Sequence, residues 1–153
     1  MLPLWSSFSR LLSQSSNRSL RKGDVLSQTR VFSEDDVAEY AKVSRDLNPV
    51  HFDSEIARLL GFDDRLVHGS LVASLFPLII SSRFPGSVYV SQTLNFKAPV
   101  YIGDEVIGRV EVIQLKEMKG KIFAKFVTEC SKNNDVAIEG QAMAILPSNH
   151  YSI

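Results

Sequence analysis

Apolar positions along the chain change period twice, and each change predicts a different kind of element. In "SEDDVAEYAKVS", Val37, Tyr40 and Ala41 recur at helical spacing behind a capping box of Ser33 with Asp36, which predicts a helix. "DSEIARLLG" predicts a second, short helix. Asp53 or Ser54 caps it, Ile56, Leu59 and Leu60 form its apolar stripe, and Gly61 stops it. In "HGSLVASLFPLIISSRF" the apolar residues Leu71, Val72, Leu75, Phe76, Leu78, Ile79 and Ile80 lie nearly all round the helical projection, the mark of a buried helix. Pro77 predicts a kink or break within it. A strand over residues 77–81 is the competing reading.

From Val88 onward the period becomes two, which predicts strands. Val88, Val90, Leu94 and Phe96 share one face, opposite Tyr89, Ser91, Thr93, Asn95 and Lys97. Val106, Val110 and Val112 alternate with Arg109 and Glu111. Ile122, Ala124 and Phe126 alternate with Lys125 and Glu129. Val136, Ile138, Ala142 and Ala144 alternate with Glu139 and Gln141. Turn residues separate these runs at Ile102-Gly-Asp104, Met118-Lys-Gly120 and Asn133-Asn-Asp135. Short connections and one-sided alternation predict an antiparallel sheet, with a further strand at residues 25–32. One apolar sheet face and one all-apolar helix are best satisfied by wrapping the sheet around the helix. The predicted class is α+β, a single hot-dog domain over residues 24–150, with an overhanging helical segment between the first strand and the buried helix.

Composition narrows the possibilities. The chain has 153 residues, 44% hydrophobic and 22% charged, which suits one domain with a real core. The formal net charge is zero, but residues 1–23 hold Arg10, Arg18, Arg21 and Lys22 and no acid, so the rest of the chain is net acidic. An acidic body without a basic stripe gives no reason to expect nucleic acid. The first segment, "MLPLWSSFSRLLSQSSNRSLRKG", is rich in Ser and Arg, with Leu2, Leu4, Trp5, Phe8, Leu11 and Leu12 on one helical face. It reads as a transit peptide over residues 1–23, mitochondrial rather than plastid, and a disordered arm is the alternative. No segment is long and apolar enough to span a membrane. The single cysteine, Cys130, allows neither an internal disulfide nor a Cys-based metal site, and its place in an alternating strand reads as a buried structural thiol.

The chemistry concentrates in Asp46-Leu-Asn-Pro-Val-His51, between the two short helices. Five residues apart, the carboxylate and the imidazole share no face of a regular helix or strand. A turn at Asn48-Pro49 could aim both at one small volume. There they could hold a water molecule and move two protons near neutral pH. The plain structural alternative is an Asp that caps a turn and a His that hydrogen-bonds the helix after it. His68-Gly69-Ser70 opens the buried helix, where free N–H groups and the positive dipole end collect. Gly69 allows close approach to that backbone. His68 or Ser70 as a simple helix cap is the structural alternative.

"YAKVSRDLNPVHFDSEIA" resembles the hydratase-2 motif of the MaoC-like (R)-specific enoyl-thioester hydratases and dehydratases. "LVHGSLVASLF" and "VSQTLNFKAPVYIGDEV" also resemble that family, in the same order, so the likeness spans roughly residues 27–147. With its transit-like leader the chain is most similar to the members that act in mitochondrial type II fatty-acid synthesis. The resemblance implies reversible syn dehydration of a (3R)-hydroxyacyl thioester to the trans-2-enoyl thioester, without a metal or redox cofactor. It implies Asp46 and His51 as the acid–base pair, leaving open which removes the C2 proton. It implies a Gly69 backbone N–H on the thioester oxygen, with Ser70 and Asn48 beside the substrate. It further implies a homodimer joined sheet edge to edge, a matrix location, and an acyl chain carried by acyl-carrier protein or coenzyme A.

Two positions depart from the family pattern. Arg45 stands where Gly usually precedes the catalytic Asp; it either reaches a phosphate of the carrier or faces solvent. Pro77 replaces a small hydroxyl residue and puts any hydroxyl role there in doubt. Gln92 interrupts an apolar face, as an orienting group for the site or as a satisfied core amide. Leu71, Leu75, Phe76, Leu94 and Phe96 are expected in the core, some of them along an acyl tunnel. Three rival functions remain. One is an (R)-specific enoyl-CoA hydratase of fatty-acid breakdown, against which the C-terminal "NHYSI" is no peroxisomal signal. Another is a catalytically silent acyl-binding subunit, against which Asp46, Asn48, His51 and Gly69 are all intact. The third is a thioesterase, for which only His68 and Ser70 could serve.

Overall fold

The computed structural model describes residues 20–147. Its elements run β1 (Val25–Val31), α1 (Glu34–Ser44), a 3-10 turn (Pro49–His51), α2 (Ser54–Leu59), α3 (Gly69–Ala73), α4 (Leu75–Arg83), β2 (Val88–Gln92), β3 (Asn95–Phe96), β4 (Glu105–Met118), β5 (Lys121–Lys132) and β6 (Asp135–Leu146). Every strand pair is antiparallel, in the order β1-β4-β5-β6-β2, and β3 continues the β2 edge along β6. The two long hairpins close on two-residue loops, Lys119-Gly120 and Asn133-Asn134, all with positive φ. That geometry matches the twist of the flanking strands, and Asn and Gly adopt it at low cost.

The sheet wraps around α4, as the pattern predicts. Leu75, Phe76, Ile79 and Ile80 of α4 are buried against Val106, Val110, Val112, Ile122, Ala124 and Phe126. Burying each large side chain of this kind stabilises the fold by roughly 1.5–3 kcal/mol. The expected break near Pro77 falls at Ser74, between α3 and α4. Pro77 has no N–H for the carbonyl of Ala73, and its ring crowds the preceding turn, so the helix is interrupted one turn earlier. Leu78 is the one apolar α4 residue that reaches the surface.

Two apolar patterns face the other way from expectation. On α2 the buried residue is Ala57, while Leu59 is 85% exposed and Leu60 is exposed too. The six-residue helix touches the body through one narrow side only. On β2, Val88 and Val90 are exposed, and Tyr89 turns toward the core beside a bulge between Tyr89 and Ser91. The Tyr89 hydroxyl donates to Gln92 Oε1, a partner available only on the inner side. Burial pushes the Tyr89 hydroxyl up to about 12, so it stays a donor.

The described residues begin inside the expected leader. Leu20 packs on the core, and Gly23 N–H donates to the Val112 carbonyl at 2.7 Å. Residues 1–19 of that leader and residues 148–150 of the expected domain lie outside the described residues. Among the described residues no helix is long and apolar enough to cross a membrane. Cys130 is buried on the inner face of β5, where burial pushes its thiol up to about 11.

Candidate active site

The turn that carries Asp46 and His51 is built by local hydrogen bonds. The capping box of Ser33 and Asp36 starts α1, and Arg45 ends it in the left-handed region (φ 63°), donating its N–H to the Ala41 carbonyl. The chain then folds over its own polar side chains. Asp46 Oδ1 accepts from Asn48 N–H at 3.2 Å, and Asn48 Oδ1 accepts from Val50 N–H at 3.3 Å. Pro49, with φ preset and no N–H to lose, opens the 3-10 turn that ends at His51. These bonds leave Asp46 Oδ2 at 3.8 Å from His51 Nε2. The His51 side chain is 10% exposed and that of Asp46 is 52% exposed, so the pair lies between interior and solvent.

The protonation of His51 follows from its neighbours. Its Nδ1 lies 2.8 Å from the Leu66 carbonyl, which can only accept, so the proton sits on Nδ1. Nε2 is left with a free lone pair toward Asp46. Burial lowers the His51 pKa first, and the nearby His68 lowers it further. The Leu66 carbonyl and Asp46 pull in the opposite direction without cancelling this. At neutral pH the ring is therefore an uncharged base.

The start of α3 forms the facing wall. His68 occupies the cap position but makes no side-chain cap bond, so it is not the helix cap that its position suggested. The first-turn N–H groups of α3 have no intrahelical carbonyl to reach. Gly69 lies against the Phe96 ring so closely that a Cβ there would sit 2.5 Å from Phe96 Cε1. Ser70 Oγ is held by the Tyr40 hydroxyl, which donates to it at 2.6 Å. Between the walls lies a cavity of about 570 Å³, lined by His51, Gly69, Ser70 and Phe96 and by the apolar Phe62, Val72, Val100 and Ile138.

The structure brings His51, Gly69 and Ser70 to the wall of one cavity, with the Asp46 carboxylate 3.8 Å from His51 Nε2, and Asn48 holds the turn between them. Arg45 is exposed, and among the described residues its guanidinium has no ion-pair partner. Gln92 is a half-buried, satisfied amide: its Nε2 has Thr93 O, Thr128 Oγ1 and Gln141 O within hydrogen-bonding distance for its two N–H groups, and its Oε1 accepts from the Tyr89 hydroxyl. Leu71 and Leu75 are buried as expected, whereas Phe96 is largely exposed and covers the cavity. Sequence reasoning missed Leu66 as the carbonyl that sets the tautomer, Tyr40 as the partner of Ser70, and the ring contact of His68 with His51.

Donor atoms of Asp46, His51 and His68 lie within 4.8 Å of one another, a spacing that invites comparison with a metal site. The two rings stack at 3.7 Å with planes only 24° apart. Planes so nearly parallel converge far beyond a metal–nitrogen bond of about 2 Å, so the two imidazoles do not offer a converging ligand set.

Comparison with known proteins identifies the family. The family profile of the MaoC-like domain matches residues 17–134. This chain belongs to the MaoC-like domain family. A relative described as mitochondrial 3-hydroxyacyl-(acyl-carrier-protein) dehydratase, from Arabidopsis thaliana, is 59% identical over 131 residues, covering 84% of this chain and 79% of the relative. A mitochondrial protein of like description from Solanum lycopersicum is 52% identical over 137 residues, covering 89% of this chain and 83% of its own. Among solved structures, the (R)-hydratase of Aeromonas caviae involved in PHA biosynthesis superposes with a TM-score of 0.79 at 37% identity, covering 85% of this chain and 99% of that one. The MaoC-like assignment and the hot-dog architecture thus agree with the family resemblance read in the sequence.

Proposed function

We propose that this MaoC-like chain is a mitochondrial hydro-lyase that dehydrates (3R)-hydroxyacyl thioesters to trans-2-enoyl thioesters, with Asp46 and His51 as its acid–base pair. The observation that carries this reading is the Asp46 carboxylate 3.8 Å from Nε2 of His51, a ring that lines the cavity and whose Nδ1 is held by the Leu66 carbonyl. A substrate hydroxyl about 2.8 Å from each group would complete a triangle with them. His51 Nε2 then takes the C2 proton. Negative charge moves to the thioester oxygen, where the Gly69 N–H receives it, with Ser70 beside it. As the C3–O bond breaks, the imidazolium returns the proton to the departing hydroxyl and water leaves. Asp46 accepts the hydroxyl's hydrogen bond and stabilises the transient imidazolium. Asn48 keeps the carboxylate aimed. One base serving both proton transfers fits a syn elimination, in which both groups leave from the same face.

The acyl chain lies among Phe62, Val72, Val100 and Ile138. Acyl-carrier protein is the carrier that the two plant relatives' descriptions support, with coenzyme A accepted in its place. Arg45, exposed one residue from Asp46, is placed to meet a phosphate of either carrier. Mitochondrial placement follows the same relatives, and the matrix is the compartment we assign. Two copies joining along the β2–β3 edge would make one continuous sheet, a homodimer. The A. caviae likeness supports a second reading, hydration of enoyl-CoA by the same pair run in reverse. The higher identity to the dehydratases favours the first.

The test supplies (3R)- and (3S)-3-hydroxybutyryl thioesters, on acyl-carrier protein and on coenzyme A, and follows the enoyl absorbance. Enoyl formation from the (3R) compounds alone, with higher kcat/KM on acyl-carrier protein, is the expected outcome. Turnover of the (3S) compounds, or of neither, would sink the proposal.

A further inference from the structure

We propose that His68 is a positioning residue of this centre: its ring is the platform that orients His51, and its Nε2–H pins the backbone carbonyl of Asp46. This rests on the reading of Asp46 and His51 as the acid–base pair. His68 is 2% exposed and lies beneath the turn. Its ring stacks on His51 at 3.7 Å between centroids. Its Nε2 lies 3.1 Å from the Asp46 carbonyl, an acceptor, so the proton sits there. Its Nδ1 is buried without a hydrogen-bond partner among the described residues. One side chain thus touches both members of the pair, one through its face and one through its edge.

The unpartnered Nδ1 argues that the residue is more than filler. A buried nitrogen without a partner is unfavourable, and an apolar ring would fill the same space without it. What the imidazole adds is the bond to Asp46, made at the far edge of a ring that also stacks. That bond fixes the main chain from which the Asp46 carboxylate projects. Stacking restricts rotation of the His51 ring about its Leu66 bond, so Nε2 stays directed at Asp46. The groups that face His68 are the Tyr40 ring edge from α1 at 5.0 Å, the Asp46 carbonyl, His51, and the Phe52 ring at 6.4 Å. The Tyr40 hydroxyl is committed to Ser70. A second imidazole against His51 disfavours a positive charge there and helps keep Nε2 free.

Two variants separate the functions of face and edge. His68→Gln keeps a donor near the Nε2 position and removes the ring. His68→Phe keeps a ring and removes the donor. The chain has three histidines, His51, His68 and His150, so their ring protons can be resolved and titrated by NMR. In His68→Gln the midpoint of His51 is expected to rise, and the acidic limb of kcat/KM with it. In His68→Phe kcat is expected to fall about tenfold with KM changed less than about twofold, the signature of a misplaced reacting group. Nitrogen correlation spectra of the wild type should show His51 protonated on Nδ1 and His68 on Nε2. The proposal is overturned if the wild type shows His68 protonated on Nδ1. It is also overturned if folded variants keep the wild-type His51 midpoint and kcat and lose only thermal stability. A wild type inactive on every thioester would sink the dehydratase reading alone, and the titrations and tautomers would still decide whether His68 orients His51.

Discussion

Replacing Asp46 by Asn removes a charge from the pair and little else. The Asn side chain has nearly the same shape, and its oxygen can still accept from Asn48 N–H, so the turn should persist. What is lost is the attraction between the carboxylate and the imidazolium that forms during proton transfer. At 3.8 Å this interaction amounts to about 4 kcal/mol at an effective dielectric near 20, and about 1 kcal/mol in bulk water. The Asp46 side chain is 52% exposed, so solvent screening holds the value between these limits, at about 1–3 kcal/mol. That corresponds to roughly a 5- to 150-fold fall in kcat. The pH profile should move as well. Asp46 raises the His51 pKa, and burial and His68 lower it. Without the carboxylate the pKa falls further. In the proposed mechanism His51 acts unprotonated, so the acidic limb of kcat/KM should shift to lower pH, the reverse of the shift expected in His68→Gln. The assay is the initial rate of crotonyl-coenzyme A hydration across the pH range, with a thermal melt as the control for folding. A folded Asp46→Asn protein with wild-type kcat, or with its acidic limb at higher pH, would refute this electrostatic reasoning.

Three further substitutions have defined outcomes. Gly69→Ala places a Cβ 2.5 Å from a Phe96 ring that is 58% exposed and free to swing. The melt should therefore hardly change, while the displaced ring and donor lower kcat/KM about ten- to a hundredfold; unchanged activity would remove Gly69 from the oxygen-binding role. Arg45→Gly relieves a left-handed non-glycine residue and, after the entropy of a new glycine, should raise the melting point by about 1–3 °C. A several-fold rise in KM for both carriers would mark the phosphate contact, and an unchanged KM would make Arg45 a solvent-facing residue. Gly140→Ala puts a Cβ 1.8 Å from the Thr93 carbonyl oxygen, which belongs to the backbone and cannot swing away. Parting the β2–β3 edge from β6 should cost about 2–4 kcal/mol, read as a melting point roughly 5–15 °C lower, and a wild-type melt would contradict the close approach.

What was legible in the sequence was what the chain settles locally. Val106, Val110 and Val112, or Ile122, Ala124 and Phe126, face one way because alternation along a central strand leaves one choice of interior. At the β2 edge alternation is ambiguous, since valines on one face compete with Tyr89 on the other. The hydroxyl bond to Gln92 and the bulge decide it, and neither has a signal in the period. On α2 the stripe was real but too short to bury. The Asp46–His51 turn was readable because Asp, Asn and Pro organise a turn from their own side chains within six residues. The groups that tune it were not. The Leu66 carbonyl is 15 residues from His51, His68 is 22 from Asp46, and Ser70 is 30 from Tyr40. Only tertiary packing brings them together.

The most direct test of the Asp46–His51 centre is the stereochemistry of crotonyl-coenzyme A hydration by the wild-type chain, with His51→Ala run beside it. The expected result is (3R)-3-hydroxybutyryl-coenzyme A from the wild type and at least a hundredfold loss of rate in the variant, about what removal of a general base costs. A (3S) or racemic product, or a His51→Ala protein that turns over at the wild-type rate, would contradict it.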